Sequence, residues 1–257
     1  MKHGDFTELA AEYINRPGYS LEALDVIATY VKKKMGKNEL IVADVGAGTG
    51  KLTENLCELG YSGFAVEPNE SMRNEGMKYI KGKAFEWSEG TAEVTGLESN
   101  TVDWVLMGSS FHWTDIPVAL EEFSRILRPG GFFTAIWNPR DIESSEFHKS
   151  IEAEIHKMVP DLKRVSSGAS KNMTDMDEKI LSTEFFSGLF FLEAPFKEIM
   201  TQERYMGAWR SVNDLQVQAG DERFRQILDM IAKKIEPMEL IEVPYKARAW
   251  TVRAVMR

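Results

Sequence analysis

The segment Asp44-Val45-Gly46-Ala47-Gly48-Thr49-Gly50 sets three glycines at alternate positions directly after an acid. Glycine lets a backbone turn sharply and approach a ligand closely, so a loop of this kind between a strand and a helix is a candidate nucleotide-type site. A dinucleotide fingerprint, G-x-G-x-x-G, needs glycine where Lys51 stands. A phosphate-binding Walker loop needs glycine at 45 and serine or threonine at 52, where Val45 and Leu52 stand. Two readings remain: a compact loop for a ligand with no pyrophosphate at the helix end, or a plain strand-to-helix turn.

Glu67 follows the next apolar run, Phe64-Ala65-Val66. An acid at the end of a neighbouring strand can accept two hydrogen bonds from ribose hydroxyls. Nicotinamide enzymes use the same acid, so Glu67 does not choose between cofactors. Further on, Gly108, Ser109, Phe111, His112 and Trp113 follow an apolar run and are predicted to border the crevice beside the loop. Aromatic faces attract a cation. His112 could remove a proton from an acceptor, or it could pack over the cofactor with a hydrogen bond to backbone. His3, His148 and His156 have no ligand spacing with Cys57, and Glu152 with His156 is too small a set for a metal. No metal is expected.

The elements that must position these groups read as follows. Residues 6–14 look helical, and Arg16-Pro17-Gly18 breaks them. Ser20 caps a second helix with Leu21, Leu24, Ile27, Ala28, Val31 and Met35 on one face, ended by Gly36. Leu40 to Val45 reads as a buried parallel strand. After the loop comes a helix bearing Leu52, Leu56 and Leu59. Strands are predicted at 64–66, 84–87, 102–107 and 132–137, with helices from about Glu70 and from Pro117 between them. Such alternation implies a doubly wound parallel sheet. After Pro139 the rhythm changes. A helix over 145–158, a polar stretch at 160–178 that is a lid candidate, a strand at 196–200, helical character over 202–235 and a final strand region at 241–243 and 248–252 are predicted.

Composition narrows the function classes. The chain has 257 residues, 43% hydrophobic and 28% charged, which suits one large α/β unit. Its net charge of −9 argues against a nucleic-acid partner, which needs a basic face. The single cysteine forbids an intrachain disulfide and fits the cytoplasm. No secretory signal and no membrane span is expected.

Taken in order, Val42 to Gly50, Val66-Glu67-Pro68, Gly90-Thr91-Ala92-Glu93, Ser110-Phe111-His112-Trp113 and Leu127-Arg128-Pro129-Gly130-Gly131 resemble the class I methyltransferases. The His-Trp pair, the N-terminal Glu12 to Tyr19 stretch and Val243 to Arg248 resemble the trans-aconitate methyltransferase-like branch. The resemblance implies a Rossmann-like doubly wound seven-stranded sheet, order 3-2-1-4-5-7-6, strand 7 antiparallel, with helices on both faces. It implies S-adenosylmethionine as methyl donor, S-adenosylhomocysteine as product, and a small-molecule acceptor (carboxylate, hydroxyl or amine).

Residue by residue, Gly46 and Gly48 would line the methionine part, within a loop completed by Ala47, Thr49 and Gly50. Asp44 would orient the loop or the amino group, and Glu67 would hold the ribose. Pro68, Ala92 and Glu93 would flank the adenine, with Gly108 and Ser109 beside the loop. Tyr13, Arg16, Tyr19, Phe111, His112 and Trp113 are the acceptor and lid candidates, His112 the catalytic one. Residues 1–36 are expected as a helical cap, 37–139 as the cofactor core, and about 140–240 as an insertion-bearing acceptor region of one domain. A monomer or homodimer is expected. A nicotinamide-dependent oxidoreductase and a non-catalytic S-adenosylmethionine-binding protein are the alternatives.

Overall fold

A computed structural model of the chain describes residues 14–80, 82, 84–163 and 173–255. Tyr13, all but the last residue of the helix expected at 6–14, and residues 164–172 of the expected lid stretch lie outside the described residues.

Helix α1 (Leu21–Met35) starts where the Ser20 hydroxyl accepts from the Ala23 N–H, and it ends at Gly36 with φ 66°. Lys32, Lys33 and Lys34 fill its last turn, where cations meet the negative end of the helix dipole. Strands β1 (Ile41–Val45), β2 (Ser62–Val66), β3 (Phe85–Ser88), β4 (Val102–Gly108) and β5 (Leu127–Trp137) pair in parallel. Helices α2 (Lys51–Glu58), α3 (Glu70–Tyr79) and α4 (Ile116–Ile126) are the crossovers. Next come α5 (Glu146–Met158), α6 (Met176–Ile180), β6 (Phe186–Thr201), α7 (Gln202–Arg210), α8 (Asn213–Ala219), α9 (Asp221–Ile235) and β7 (Leu240–Ala254). The sheet order is β3-β2-β1-β4-β5-β7-β6, with β7 antiparallel to both neighbours. This is the predicted topology.

Alternation along the strands sorts side chains to two faces. Trp104 and Leu106 of β4 join Phe132 and Ile136 of β5 against Leu24, Ile27 and Val31 of α1. Val105, Met107, Phe133 and Ala135 face the other way, against Leu120, Phe123 and Ile126 of α4. Three strands are also tied through the core: the Trp104 indole N–H donates to Thr134 Oγ1 at 2.8 Å, and Thr134 shares a 2.8 Å hydrogen bond with Thr251.

The second half departs from its expected boundaries. β6 begins at Phe186, ten residues before the predicted start, because Ser187, Gly188 and Pro195 dilute its alternation. The final strand region, expected at 241–243 and 248–252, is one continuous element. Pro244 lies past the end of β5, so its missing N–H leaves no gap in the β5 ladder. The helical region 202–235 is three helices, separated at Ser211-Val212 and at Gly220.

β5 pairs with β7 only from Phe132↔Arg253 to Trp137↔Arg248. The β6–β7 ribbon runs on to Thr201↔Leu240, beyond the carboxyl end of β5. Its apolar side carries a third core in which Met200, Ile241 and Val243 meet Ile151 and Ile155 of α5, Trp209 of α7, Leu215 of α8 and Ile227 and Ile231 of α9. A helical layer therefore stands on the edge of the sheet where ligands of doubly wound folds bind.

Candidate active site

A cavity of about 610 Å³ lies between the carboxyl ends of the strands and this helical layer. One end of its wall is the glycine loop. Gly46 (φ 70°), Gly48 (φ 59°) and Gly50 (φ 83°) all take the left-handed conformation that disfavours other residues. The loop is tied to β2, for the Gly46 and Ala47 N–H groups both donate to Val66 O, at 2.8 and 3.1 Å.

Glu67 acts first on the protein itself. Its Oε2 accepts from the Gly48 N–H and its Oε1 from the Asn69 N–H, both at 2.8 Å. Burial raises its pKa, and the two amides and Arg73 oppose that. Asp44 Oδ2 accepts from Thr53 Oγ1 at 2.6 Å, but its buried Oδ1 has no partner among the described residues. Burial pushes the Asp44 carboxyl up to about 7; Thr53 counters, and the Glu67 charge adds to the rise. A carboxylate oxygen enclosed without a donor is costly, and an ammonium group would relieve it.

Asp44, Gly46, Ala47, Gly48, Thr49, Glu67, Pro68, Ala92, Glu93, Gly108 and Ser109 all border the cavity. Gly50 does not; it precedes α2 as its N-cap. Ser109 directly follows β4 with φ 56°, an unusual conformation for a residue with a side chain. Its Oγ accepts from the Tyr19 hydroxyl at 3.0 Å. Tyr19 lies so close that a Cβ on Gly108 would come 2.6 Å from its hydroxyl oxygen.

Residues 16–19 form a strap across the cavity. The Tyr19 N–H donates to Asn55 Oδ1 at 2.7 Å, and Asn138 Nδ2 donates to Gly18 O at 2.7 Å. Arg16 donates to the hydroxyl and carbonyl of Ser211, at 2.9 and 2.8 Å. Arg16 and Tyr19 thus line the cavity while joining the helical layer to the sheet.

The Phe111-His112-Trp113 group separates. Phe111 is fully buried against Phe133, ring centroids 5.0 Å apart, and is a core residue rather than an acceptor contact. Trp113 is 54% exposed and lines the cavity. His112 is not on the cavity wall. Its ring lies 4.8 Å from that of Trp113 and 6.2 Å from that of Trp137, and neither nitrogen has a partner among the described residues. Burial lowers its pKa to about 4. The structure brings His112 to neither of its two expected situations: it does not open onto the cavity, and it makes no backbone hydrogen bond.

The far end of the cavity comes from residues that sequence reasoning missed: Asn138, Arg140, Glu152, Asn213, Asp214 and Tyr245. Asn138 and Arg140 follow β5, and the rule that ligands meet strand carboxyl ends could have found them. Asn213 opens α8 and carried no local signal. The Arg140 guanidinium lies over the Trp209 ring, 4.3 Å from its centroid. Burial acts to lower the Arg140 pKa, but Tyr245, Tyr205 and Glu152 outweigh it and hold the value above the ordinary one. The group stays a cation.

Residues 43–135 match a family model described as a methyltransferase domain. An uncharacterized methyltransferase of Mycobacterium tuberculosis is 38% identical over 128 residues, which are 49% of this chain and 48% of that protein. The chain thus spans about half the length of the mycobacterial relatives it matches. An uncharacterized methyltransferase of Schizosaccharomyces pombe is 28% identical over 239 residues, 89% of this chain and 87% of that protein. Among solved structures, a type II methyltransferase from Anaeromyxobacter dehalogenans, so titled provisionally, superposes with a TM-score of 0.68 at 18% identity, covering 94% of this chain and 99% of that one. At such identity the likeness speaks for the fold. The sheet order and these likenesses give the chain the seven-stranded, Rossmann-like fold seen in methyltransferases, with a methyltransferase-domain match over residues 43–135. Among the described residues no helix is long and apolar enough to cross a membrane.

Proposed function

We propose that the protein transfers a methyl group from S-adenosylmethionine to a small-molecule acceptor. The observation that carries this reading is the unpartnered, buried Asp44 Oδ1 beside a glycine loop cinched by Glu67, at one end of a cavity whose other end is polar. The residues present fit the donor. Asp44 would take its amino group, Gly46 and Gly48 its methionine backbone, Glu67 its ribose through the lone pairs left free by Gly48 and Asn69, and Ala92 and Glu93 its adenine. Bound there, the donor supplies a sulfonium methyl that is electrophilic without further activation.

The chain's own contribution is placement. Tyr19, Ser109 and Trp113 border the cavity, and holding two reactants in line can supply most of the rate. An acceptor lone pair would take the methyl carbon as the S–C bond of the donor returned its pair to sulfur; a hydroxyl or amine acceptor would lose its proton to water, and a carboxylate would have none to lose. A small acceptor is favoured by the enclosure of the cavity under the Arg16–Tyr19 strap and by the net charge of −9, which does not suit nucleic acid. The nicotinamide alternative has no observation in its favour.

Titration calorimetry with S-adenosylhomocysteine tests the donor half: micromolar binding is expected, and no detectable heat or thermal stabilisation would end the reading. Transfer of label from methyl-labelled S-adenosylmethionine to an acid, alcohol or amine panel tests the catalytic half. Donor binding without transfer to any acceptor would leave a non-catalytic binding protein.

A further inference from the structure

We propose that the far end of the cavity is a carboxylate subsite built on Arg140, and that the carboxylate held there is a handle while another atom of the acceptor takes the methyl group. The inference rests on the methyltransferase reading and assigns the acceptor class to it.

Arg140 is a half-buried cation that lines the cavity. Among the described residues it makes no ion pair with a carboxylate; Tyr245, Tyr205 and, more weakly, Glu152 act on its charge. A half-buried guanidinium with no carboxylate paired to it is well placed to take an anionic ligand. The rest of the end wall is prepared for a polar ligand. Asn213 is 5% exposed, lines the cavity, and has both side-chain polar atoms buried without partners. Asn138 spends its Nδ2 on Gly18 O and leaves its buried Oδ1 unpartnered.

The charge is also held firmly in place. The Arg140 backbone forms a β-bridge with Tyr245, and on either side of it the Lys246 N–H donates to Pro139 O (3.0 Å) and the Asp141 N–H to Pro244 O (2.9 Å). The Trp209 ring lies beneath the guanidinium. The Tyr245 side chain engages one part of the guanidinium, and its remaining in-plane N–H groups are directed to a planar, two-oxygen acceptor. One arginine fork and one amide suit a carboxylate better than a phosphate, which usually draws on more donors.

Position separates handle from methyl acceptor. Arg140 follows β5, and the donor loop follows β1, with β4 between them. Two strand spacings are roughly 10 Å. A carboxylate locked on Arg140 is therefore out of line with a donor methyl at the β1–β4 crevice. Its oxygens are also occupied by hydrogen bonds, which weakens them as nucleophiles. The nucleophile is a second group, a hydroxyl or amine, one short acceptor length away.

The test uses the whole chain loaded with S-adenosylhomocysteine. Hydroxy- and amino-carboxylic acids of three to six carbons are titrated by calorimetry, each beside its primary amide. At least one acid should bind ten-fold or more tightly than its amide. Arg140→Gln should erase that difference, and Arg140→Lys should reduce it, with S-adenosylhomocysteine affinity within about threefold of the parent in both. If no acid is preferred over its amide, or if both variants lose S-adenosylhomocysteine as strongly as acid, the subsite is refuted. The label from methyl-labelled S-adenosylmethionine should resist mild alkali, as ethers and N-methyl groups do. Release as methanol would mean a methyl ester and would overturn the handle. A parent protein that fails to bind S-adenosylhomocysteine at all removes the methyltransferase reading first, and is told apart by that step.

Discussion

The Tyr19 hydroxyl donates to Ser109 Oγ across 3.0 Å, joining the N-terminal strap to the left-handed residue that follows β4. The contact exists because Gly108 has no side chain: a Cβ there would meet the Tyr19 hydroxyl at 2.6 Å. Tyr19→Phe removes one hydrogen bond, roughly 0.5–1.5 kcal/mol. S-adenosylhomocysteine affinity should fall a few-fold in calorimetry. Gly108→Ala displaces the whole ring and should cost more in the same assay. A Gly108→Ala protein that binds as well as the parent would show that the strap plays no part in holding the donor.

Glu67 accepts from two backbone amides that shape the cofactor wall. In Glu67→Gln an amide NH2 replaces one acceptor and confronts a backbone N–H. We expect S-adenosylhomocysteine binding weaker by roughly 1.5–3 kcal/mol, or about 10- to 150-fold. Glu67→Ala should lose at least as much. Wild-type affinity in both variants would remove Glu67 from the site.

Asp44 links the site to pH. Its pKa is pushed up to about 7 in the folded chain by burial. A carboxyl with a raised folded pKa contributes stability in full below its ordinary value near 3.8, and loses it as the pH climbs through about 7. Asp44→Asn mimics the neutral form. It should melt higher than the parent at pH 8, with the gap closing towards pH 4. An ammonium arriving beside Asp44 favours its ionised form, so S-adenosylhomocysteine binding near pH 7 should release protons. Calorimetry in buffers of different ionisation heat reads that release, and proton uptake would contradict the assignment.

His112 has two buried, unpartnered ring nitrogens among tryptophans and a pKa lowered to about 4. His112→Phe removes polar atoms that gain nothing from burial. The melting temperature should hold or rise, and turnover should stay within about threefold. A hundredfold loss of turnover with unchanged donor binding would restore His112 as a base.

The donor side was legible because its chemistry is local. Gly46, Gly48 and Gly50 sit in one loop, and Glu67 falls at the end of the next strand, so spacing alone brings them together. The sheet order followed from the resemblance of the ordered motifs. The acceptor side was not legible for the opposite reason. Arg140 and Asn213 lie 73 positions apart. They meet only because β7 stitches the segment after β5 to the helical layer. Phe111 and His112 misled because motif position does not say which way a side chain turns in a short 3-10 helix; Phe111 turned into the core and His112 away from the cavity wall. Pro195 lies on the edge strand β6, and Pro244 lies past the end of the β5 ladder, so neither breaks the central sheet.

The β6–β7 ribbon beyond the Arg140–Tyr245 bridge forms a lever arm. Its inner portion is fastened beside β5 and to the segment that follows β5, while Leu240 to Val243 lie beyond that bridge, with Ile241 and Val243 packed against the helical layer. That outer length is roughly 13 Å. A change of twist of about 5° at the bridge would carry the far tip about 1 Å. Substitutions at Arg248 or Glu193, remote from any substrate, could then retune the size of the acceptor chamber while the donor wall stays still. Within such a scaffold, acceptor preference can drift by mechanical leverage without touching a single residue that meets the acceptor.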